Sequence, residues 1–194
     1  MTGRTEMKEM DEMSGKTYTI RDIEALPEGK RAELIDGRMY EMASPSRVHQ
    51  RLLGELYRLI ANYIEERDGS CEVYLAPFAV YINNDEYNYV EPDVLVICDD
   101  EKLDEKGCHG APDWAIEIVS PGSVKMDRKI KLFKYRTAGV REYWIVDPAE
   151  RTVEVHCFSR DEEKTYTFQE TVPAGIYEDF AIDFSKFLKF FQTT

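Results

Sequence analysis

Apolar and polar positions recur with different periods along the chain, and these periods predict one long helix and several buried strands. Residues 47–67 place apolar side chains at three- and four-residue steps, the period of an amphipathic helix. Two shorter runs, 94–97 and 114–119, are almost continuously apolar and rich in β-branched residues. Such runs are typical of strands that are buried on both faces of a sheet.

Turn and capping residues predict two elements before the long helix. Thr19 with Asp22 resembles a capped helix start, and the pattern predicts a short helix over residues 20–26. Asp36-Gly37 stands between two strand-like runs, which is a strong signal for a β-hairpin.

Further strands surround a second helix in the rest of the chain. The predicted strands cover residues 71–82, 86–98, 113–119, 141–147, 151–158 and 164–172. A helical pattern over 124–138 ends at Gly139, and the apolar segment 184–191 predicts a short docking helix. This order predicts an α/β (α+β) layer built on one mixed sheet, with an antiparallel C-terminal meander.

The length of 194 residues suits one domain. Residues 1–16 are polar and aperiodic and predict a disordered N-terminus, which leaves 17–194 as the domain. The apolar runs are too short to span a bilayer, and residues 1–20 lack the apolar core of a signal peptide. We therefore expect a cytoplasmic protein that does not enter a membrane.

The cysteines show no CxxC spacing, and one of them ends an apolar strand. They are Cys71, Cys98, Cys108 and Cys157. This pattern favours reduced thiols over a zinc site or a disulfide framework.

Charge is distributed unevenly. The formal net charge of -13 argues against a broad, sequence-blind grip on nucleic acid. Residues 122–141, however, hold seven Lys or Arg side chains against one acid, Asp127. This basic helix suits a polyanionic substrate such as DNA, with Lys125, Arg128 and Lys129 as the candidate contacts. The alternative is an ordinary solvated helix face.

Two carboxylates stand where apolar residues are expected. Asp93 lies at the start of the run 94–97, and Glu117 lies inside the run 114–119. An ionised carboxylate costs several kcal/mol to bury without a partner, so a metal ion or a lysine is needed. Mg²⁺ prefers oxygen ligands and would suit two converging carboxylates. The alternatives are turn chemistry for Asp93 and a structural ion pair for Glu117.

Three further residues are candidates for the same site. Lys131 falls beside the Met126–Ile130–Phe133 stripe of its helix and could reach back over the strand end. Glu33 could be a third acid beside the metal or an exposed strand residue. His49 lies near the start of the long helix, where a lone histidine is more often structural or solvated than catalytic. Asp127 and Lys131, four residues apart, could form only a surface pair.

Several motifs occur in an order that resembles a known family. They are ELIDG at 33–37, SPS…H at 44–49, Pro92-Asp93, the strand Glu117-Ile118-Val119 and SPGS…D…K…Y…GVREYW at 120–144. Together they resemble the Uma2 family, also called DUF820, of the PD-(D/E)XK or restriction-endonuclease-like superfamily. The resemblance extends from about Tyr18 to Val155.

The resemblance implies a mixed central β-sheet flanked by helices and a Mg²⁺-dependent endonuclease that hydrolyses DNA phosphodiester bonds, with Mn²⁺ as a substitute. Asp93, Glu117 and the backbone carbonyl of Ile118 would hold the metal. Val119 stands where the superfamily motif has its lysine, and the Uma2-like pattern transfers that role to Lys131. This lysine would orient the attacking water or stabilise charge on the phosphate.

The missing strand lysine and the net acidity motivate a different class of function. In that alternative the chain is a catalytically inactive nuclease-fold module that binds nucleic acid or protein as a homodimer. A homodimer is also expected and is compatible with either function, with the aromatic residues of the C-terminal meander and of segment 184–191 at its interface.

Overall fold

The computed structural model describes residues 16–192, so the segment expected to be disordered lies, apart from Lys16, outside the described residues. The helices are α1 (Ile20–Glu24), α2 (Arg47–Glu65) and α3 (Leu132–Ala138). A π-helical turn, Met126–Lys131, runs directly into α3, and a 3-10 helix, Phe184–Phe191, forms the predicted docking helix. The strands are β1 (Ala32–Ile35), β2 (Arg38–Glu41), β3 (Glu72–Leu75), β4 (Val80–Tyr81), β5 (Val94–Ile97), β6 (Leu103–Asp104), β7 (Gly107–His109), β8 (Trp114–Ile118), β9 (Glu142–Asp147), β10 (Thr152–Cys157), β11 (Glu162–Thr167), β12 (Thr171–Pro173) and β13 (Ala181–Asp183).

Six strands form the central sheet in the order β11-β10-β9-β8-β5-β3. β8 and β9 pair in parallel, whereas the other neighbours pair antiparallel. A parallel pair needs a crossover connection, which the π-helical turn and α3 provide. The mixed sheet flanked by helices and the antiparallel meander of β9, β10 and β11 are therefore confirmed.

The two faces of this sheet are covered differently. One face, here called the α2 face, packs against α2 and the segment 184–191. The opposite face, here called the hairpin face, packs against the β1–β2 hairpin, the π-helical turn and α3. Because side chains alternate along a strand, β8 sends Trp114 and Ile116 to the α2 face and Ala115 and Glu117 to the hairpin face.

α2 begins and packs as its sequence predicts. The Ser46 side chain accepts the backbone N–H of His49 at 3.2 Å and caps the helix. Its buried side chains are Leu52, Leu53, Leu56, Ile60 and Ile64. Neither α2 nor another helix within residues 16–192 combines the length and the apolar content that a membrane crossing requires.

The helix after β8 differs from the regular α-helix that was predicted. A residue in a π turn rotates less about the axis than one in an α-helix, so the buried face shifts along the sequence. Met126 is buried as predicted, but Phe133, expected on the same stripe, is 67% exposed. Lys134 and Tyr135 take the buried positions instead.

The expectation that all four cysteines are reduced is wrong. Cys71 and Cys98 form a disulfide across a sequence separation of 27 residues. They stand one position beyond the paired residues of the antiparallel β3–β5 ladder, which brings them opposite each other. Cys108 and Cys157 are free and buried. The pairing depends on strand register, which the spacing of cysteines in the sequence does not reveal.

Candidate active site

Asp93 and Glu117 come together at one end of the central sheet. Val94 pairs with Ile116 on the neighbouring strand, so Asp93 stands opposite Glu117. Asp93 Oδ2 accepts the backbone N–H of Ile118 at 2.8 Å and lies 3.2 Å from His49 Nε2. The side chain of Asp93 is 15% exposed, which leaves it at the boundary between the core and solvent.

Glu117 is buried on the hairpin face and has two donors on one oxygen. Its Oε1 accepts from Lys131 Nζ at 2.9 Å and from the Tyr135 hydroxyl at 2.8 Å. Both donors lie on the helical segment that follows β8. The strand and its crossover helix thus deliver the acid and its hydrogen-bond partners to the same place.

Lys131 is the centre of a buried charge cluster. Its Nζ lies 2.8 Å from Glu33 Oε2, 2.9 Å from Glu117 Oε1 and 3.7 Å from Asp127 Oδ1. The lysine is only 4% exposed. The other Glu33 oxygen, Oε1, accepts the backbone N–H of Glu91 at 2.9 Å, two residues before Asp93. We call Glu33, Asp93, Glu117, Asp127 and Lys131 the acidic cluster.

The π-helical turn explains how Asp127 and Lys131 both face inwards. The Asp127 N–H donates to Ser123 O at 2.9 Å, an α-type bond that precedes the wide turn. The Tyr143 hydroxyl of β9 donates to the Asp127 carbonyl at 3.1 Å and ties the turn to the sheet. Asp127 and Lys131 are buried, so the prediction of a surface pair is wrong.

The hairpin and the crossover helix are also joined directly. Lys134 Nζ, which is buried, lies 2.6 Å from Asp36 Oδ1 at the turn between β1 and β2. Asp36 and Gly37 have φ angles of 50° and 73°, the left-handed geometry that an Asp-Gly hairpin turn uses. The Asp36–Lys134 ion pair holds Glu33 against Lys131. Glu33 lies three residues before Asp36 in the hairpin, and Lys131 lies three residues before Lys134 in the helical segment.

The acidic cluster contains more negative than positive charge, and the pKa values respond to this. Burial raises the pKa of Glu117 well above its ordinary value, while Lys131 acts in the opposite direction. Burial likewise raises the pKa of Asp127 to about 6 against the effect of Lys131. Burial alone would lower the pKa of Lys131, but Glu117 and the other carboxylates raise it well above normal. These shifts favour the charged form of Lys131 and the neutral forms of Glu117 and Asp127, and a further cation beside the cluster would favour the ionised carboxylates.

His49 approaches the cluster from the opposite side. α2 presents its Nε2 to Asp93, and the side chain is 11% exposed. The other ring nitrogen, Nδ1, is buried with no hydrogen-bond partner among residues 16–192. The contact between Nε2 and Asp93 is therefore the polar interaction that orients the His49 ring.

The donor set suits an ion that keeps much of its own water. Within residues 16–192, no three His, Cys, Asp or Glu side chains are close enough together to form a complete metal site. Mg²⁺ is usually held by only one or two carboxylates together with waters and phosphate oxygens. The N–H and C=O of one strand residue point to the same side, so the Ile118 carbonyl faces the Asp93 side of β8. Asp93, Glu117 and this carbonyl fit such a partial ligand set.

The basic helix is far less available than its sequence suggests. Arg128 donates to Glu154 Oε1 at 2.7 Å and to Asp147 Oδ2 at 3.0 Å. Three more cations of the segment form ion pairs: Lys134 with Asp36, Arg136 with Asp161, and Arg141 with Asp113. Lys125 and Lys129 are exposed. Arg128 is therefore occupied by carboxylates of its own chain, and the local charge excess is largely neutralised.

Five of the site residues predicted from the sequence lie together. The structure brings Glu33, Asp93, Glu117, Lys131 and His49 into one cluster. Sequence reasoning missed two buried members, Asp127 and Tyr135. Both belong to the D…K…Y spacing 127, 131 and 135, and this repeated four-residue step could have indicated a shared helix face.

The mixed sheet, with paired acids on adjacent strands and a buried lysine from the crossover helix, defines a protein of the restriction-endonuclease-like class. Residues 20–181 match the model of the Uma2 family, described as "Putative restriction endonuclease", and the chain belongs to this family. The crystal structure of "a putative nuclease belonging to DUF820" from Anabaena variabilis ATCC 29413 has a similar fold. It shares 20% sequence identity at a TM-score of 0.72, over 88% of this chain and 97% of that one. No curated protein matches the chain. Family and fold together support a nuclease at the family level.

Proposed function

We propose that this protein is a metal-dependent endonuclease that hydrolyses DNA phosphodiester bonds. Asp93, Glu117 and the Ile118 carbonyl are the proposed ligands of Mg²⁺, with Mn²⁺ as a substitute. The observation that carries the proposal is the buried Lys131 ammonium, 2.9 Å from Glu117 and 2.8 Å from Glu33. It supports the transfer of the motif lysine's role from the strand, where Val119 stands, to the crossover helix.

A divalent ion in this site would polarise a phosphoryl oxygen and lower the pKa of a bound water. The residues of the chain have separate tasks around it. Lys131 has three N–H donors, and Glu33 and Glu117 occupy two directions around its nitrogen. The remaining donor is suited to hold the attacking water or a phosphate oxygen where negative charge develops.

Two residues are proposed to orient the others. His49 Nε2, 3.2 Å from Asp93 Oδ2, would fix the rotamer of this carboxylate together with the Ile118 N–H. Glu33 would hold Lys131 from the hairpin side. We therefore assign both as positioning residues.

Of the predicted substrate contacts, Lys125 and Lys129 remain candidates because they are exposed. Arg128 is better explained as a link between the π-helical turn and β9 and β10, since two carboxylates hold its guanidinium. The cytoplasm remains our proposed location, although the Cys71–Cys98 disulfide is of a kind that is rare there.

The alternative of a catalytically inactive homodimer keeps the net acidity as an argument but has less support from the aromatic residues. Phe184, Phe187 and Phe190 are buried against the rest of the chain, so they offer no exposed apolar surface for self-association. Lys131 is proposed to take the role of the lysine that is absent at Val119.

A plasmid-nicking assay with Mg²⁺ tests the proposal. Wild type is compared with Asp93→Asn, Glu117→Gln and Lys131→Met, and with Glu101→Gln as a control at an exposed acid. Cleavage should be lost in the Asp93, Glu117 and Lys131 variants and retained in wild type and in the Glu101 control. Calorimetry should show that the Asp93 and Glu117 variants also lose binding of Mn²⁺. Equal cleavage by all five proteins, or unchanged metal binding, would contradict the assignment.

A further inference from the structure

Three exposed cations lie on aromatic rings near the end of the central sheet. The Arg51 guanidinium lies 4.3 Å from the Phe190 ring centroid, and Lys189 Nζ lies 5.5 Å from the same ring. The Arg151 guanidinium lies 5.3 Å from the Phe191 ring. None of the three forms an ion pair within residues 16–192, in contrast to Arg128 and its neighbours in the basic helix. We call Arg51, Arg151 and Lys189 the aromatic-backed cations.

The strand register puts Arg151 at the end of the sheet that carries the acidic cluster. Ile118 pairs with Val146 on β9, and β9 ends one residue later. The turn to β10 then contains Arg151. Asp93 and this turn are separated by three strand spacings, which is about 14 Å. Since each nucleotide of a duplex strand rises about 3.4 Å, the separation corresponds to roughly four base pairs.

α2 brings a second aromatic-backed cation to the same end. Its first turns carry His49, which contacts Asp93, and Arg51 follows two residues later on another side of the helix. The Phe168 N–H donates to the Arg151 carbonyl at 2.8 Å, and the Phe168 ring packs on Phe191. The cations therefore rest on elements that are fixed to one another.

The chemistry of these side chains suits phosphate. A ring under a guanidinium fixes its plane by a cation–π contact and leaves the N–H edges for other acceptors. Phe190 is 1% exposed and stacks on Phe187, so this support is rigid. A phosphate that binds here displaces no carboxylate of the protein, whereas one that binds Arg128 or Arg136 must compete with such a partner.

We infer that Arg51, Arg151 and Lys189 bind the sugar-phosphate backbone of the nucleic-acid substrate, in place of Arg128 and in addition to the exposed Lys125 and Lys129 of the predicted basic helix. The inference rests on the proposed function for its substrate class. The aromatic-backed cations form a substrate-contact surface outside the basic helix. Contacts of this kind position a duplex without reading its sequence.

Binding of a fluorescent mixed-sequence duplex, followed by anisotropy without divalent metal, tests the inference. The protein is full-length wild type or Arg51→Ala/Arg151→Ala. The matched control is Arg58→Ala/Arg136→Ala, which removes the same charge from two cations that are paired with Glu55 and Asp161. We expect about tenfold weaker binding for the first double variant and a log–log salt slope reduced by about 2 between roughly 50 and 200 mM salt. The control should change binding by less than about twofold, as expected for paired surface cations.

Two further arms distinguish charge loss from misfolding and separate this inference from the nuclease proposal. Arg51→Lys/Arg151→Lys should recover most of the affinity because it keeps the charge. Equal weakening by both alanine double variants, or no binding of wild type at the lowest salt, would overturn the inference. Binding that depends on Arg51 and Arg151 without any cleavage would reject only the nuclease. Cleavage whose KM is unaffected by Arg51→Ala/Arg151→Ala would reject only this inference.

Discussion

The α2 face and the hairpin face of the central sheet are made from the same strands but hold different chemistry. On the α2 face, β8 contributes Trp114 and Ile116 to a core of apolar side chains. On the hairpin face, the same strand contributes Glu117, which meets Lys131 and a group of buried acids. Apolar burial stabilises a fold, whereas buried charge costs stability unless it is compensated. Both faces contain an apolar core, but only the hairpin face combines it with the buried charged groups of the proposed reaction.

The sharpest test of this division is Glu117→Gln. The amide keeps the shape and removes a buried negative charge, so unfolding free energy at pH 7 should stay the same or rise. Cleavage should fall by about 1,000-fold, or ~4 kcal/mol of activation free energy, if Glu117 is a metal ligand. Nicking rates and denaturant melts of the same preparation check both. A large loss of stability with retained nicking would reverse the assignment of the two faces.

Leu56→Ala is the counterpart on the α2 face. Leu56 is fully buried in the apolar core, so the cavity should cost about 2–5 kcal/mol of unfolding free energy. Cleavage per folded molecule at low temperature should not change, because Leu56 belongs to the apolar core on the α2 face. Urea unfolding together with active-site titration measures this. Loss of specific activity in the folded fraction would break the division.

The disulfide lies among residues that pack on the α2 face, so its loss should again affect stability alone. Cys71→Ala/Cys98→Ala opens a loop of 27 residues and should cost about 2–4 kcal/mol. Thermal melts with and without a reducing agent provide the measurement. Reductant should lower the Tm of wild type and leave the double variant unchanged. An unchanged wild-type Tm would show that the bridge does not stabilise the protein.

Tyr135→Phe tests the hairpin face more finely. It removes only the hydroxyl that donates to Glu117 Oε1 at 2.8 Å. Hydrogen bonds to charged groups contribute about 1.5–3 kcal/mol, so we expect roughly tenfold slower cleavage through a less well oriented Glu117. Weaker Mn²⁺ binding by calorimetry should accompany the slower cleavage. Phe187→Leu, on the other face, is the control that should alter neither quantity.

The smallest effect concerns His156, which lies on the hairpin face of β10 away from the acidic cluster. Burial lowers its pKa from 6.5, although Glu163 and Glu154 act in the opposite direction. A histidine with a lowered folded pKa contributes stability above about pH 6.5 that is lost as the pH falls below this value. His156→Phe should therefore show a shallower fall in Tm between about pH 7.5 and pH 5.5 than wild type. Parallel curves for the two proteins would exclude this histidine as the cause.

Sequence patterns were sufficient where a signal is local. The Asp36-Gly37 hairpin and the helix 184–191 both depend on neighbouring residues, and both are confirmed. Asp93 was recognisable at the start of an apolar run and Glu117 inside one. Their convergence required only that the two buried strands be neighbours, as β5 and β8 are.

The errors concern features that depend on tertiary contacts. Residues 71–82 read as one strand but form β3 and β4 in different sheets, with Pro77 between them. A helical wheel assumes regular 100° steps, so it misplaced Phe133 beside a π turn. The local charge count over 122–141 left out the acids that pair with its cations in the fold. These acids approach from distant parts of the chain: Asp36, Asp113, Glu154 and Asp161.

The acidic cluster draws Glu33 from a hairpin, Asp93 and Glu117 from two strands, and Lys131 from the crossover that the parallel β9 completes. A ribosome must therefore have released nearly 150 residues before these groups can meet. A fragment that ends before Lys131 lacks a member of the set, and one that ends before Glu142 lacks the strand that completes the crossover. Under the proposed nuclease function, early translation products would therefore carry no complete site.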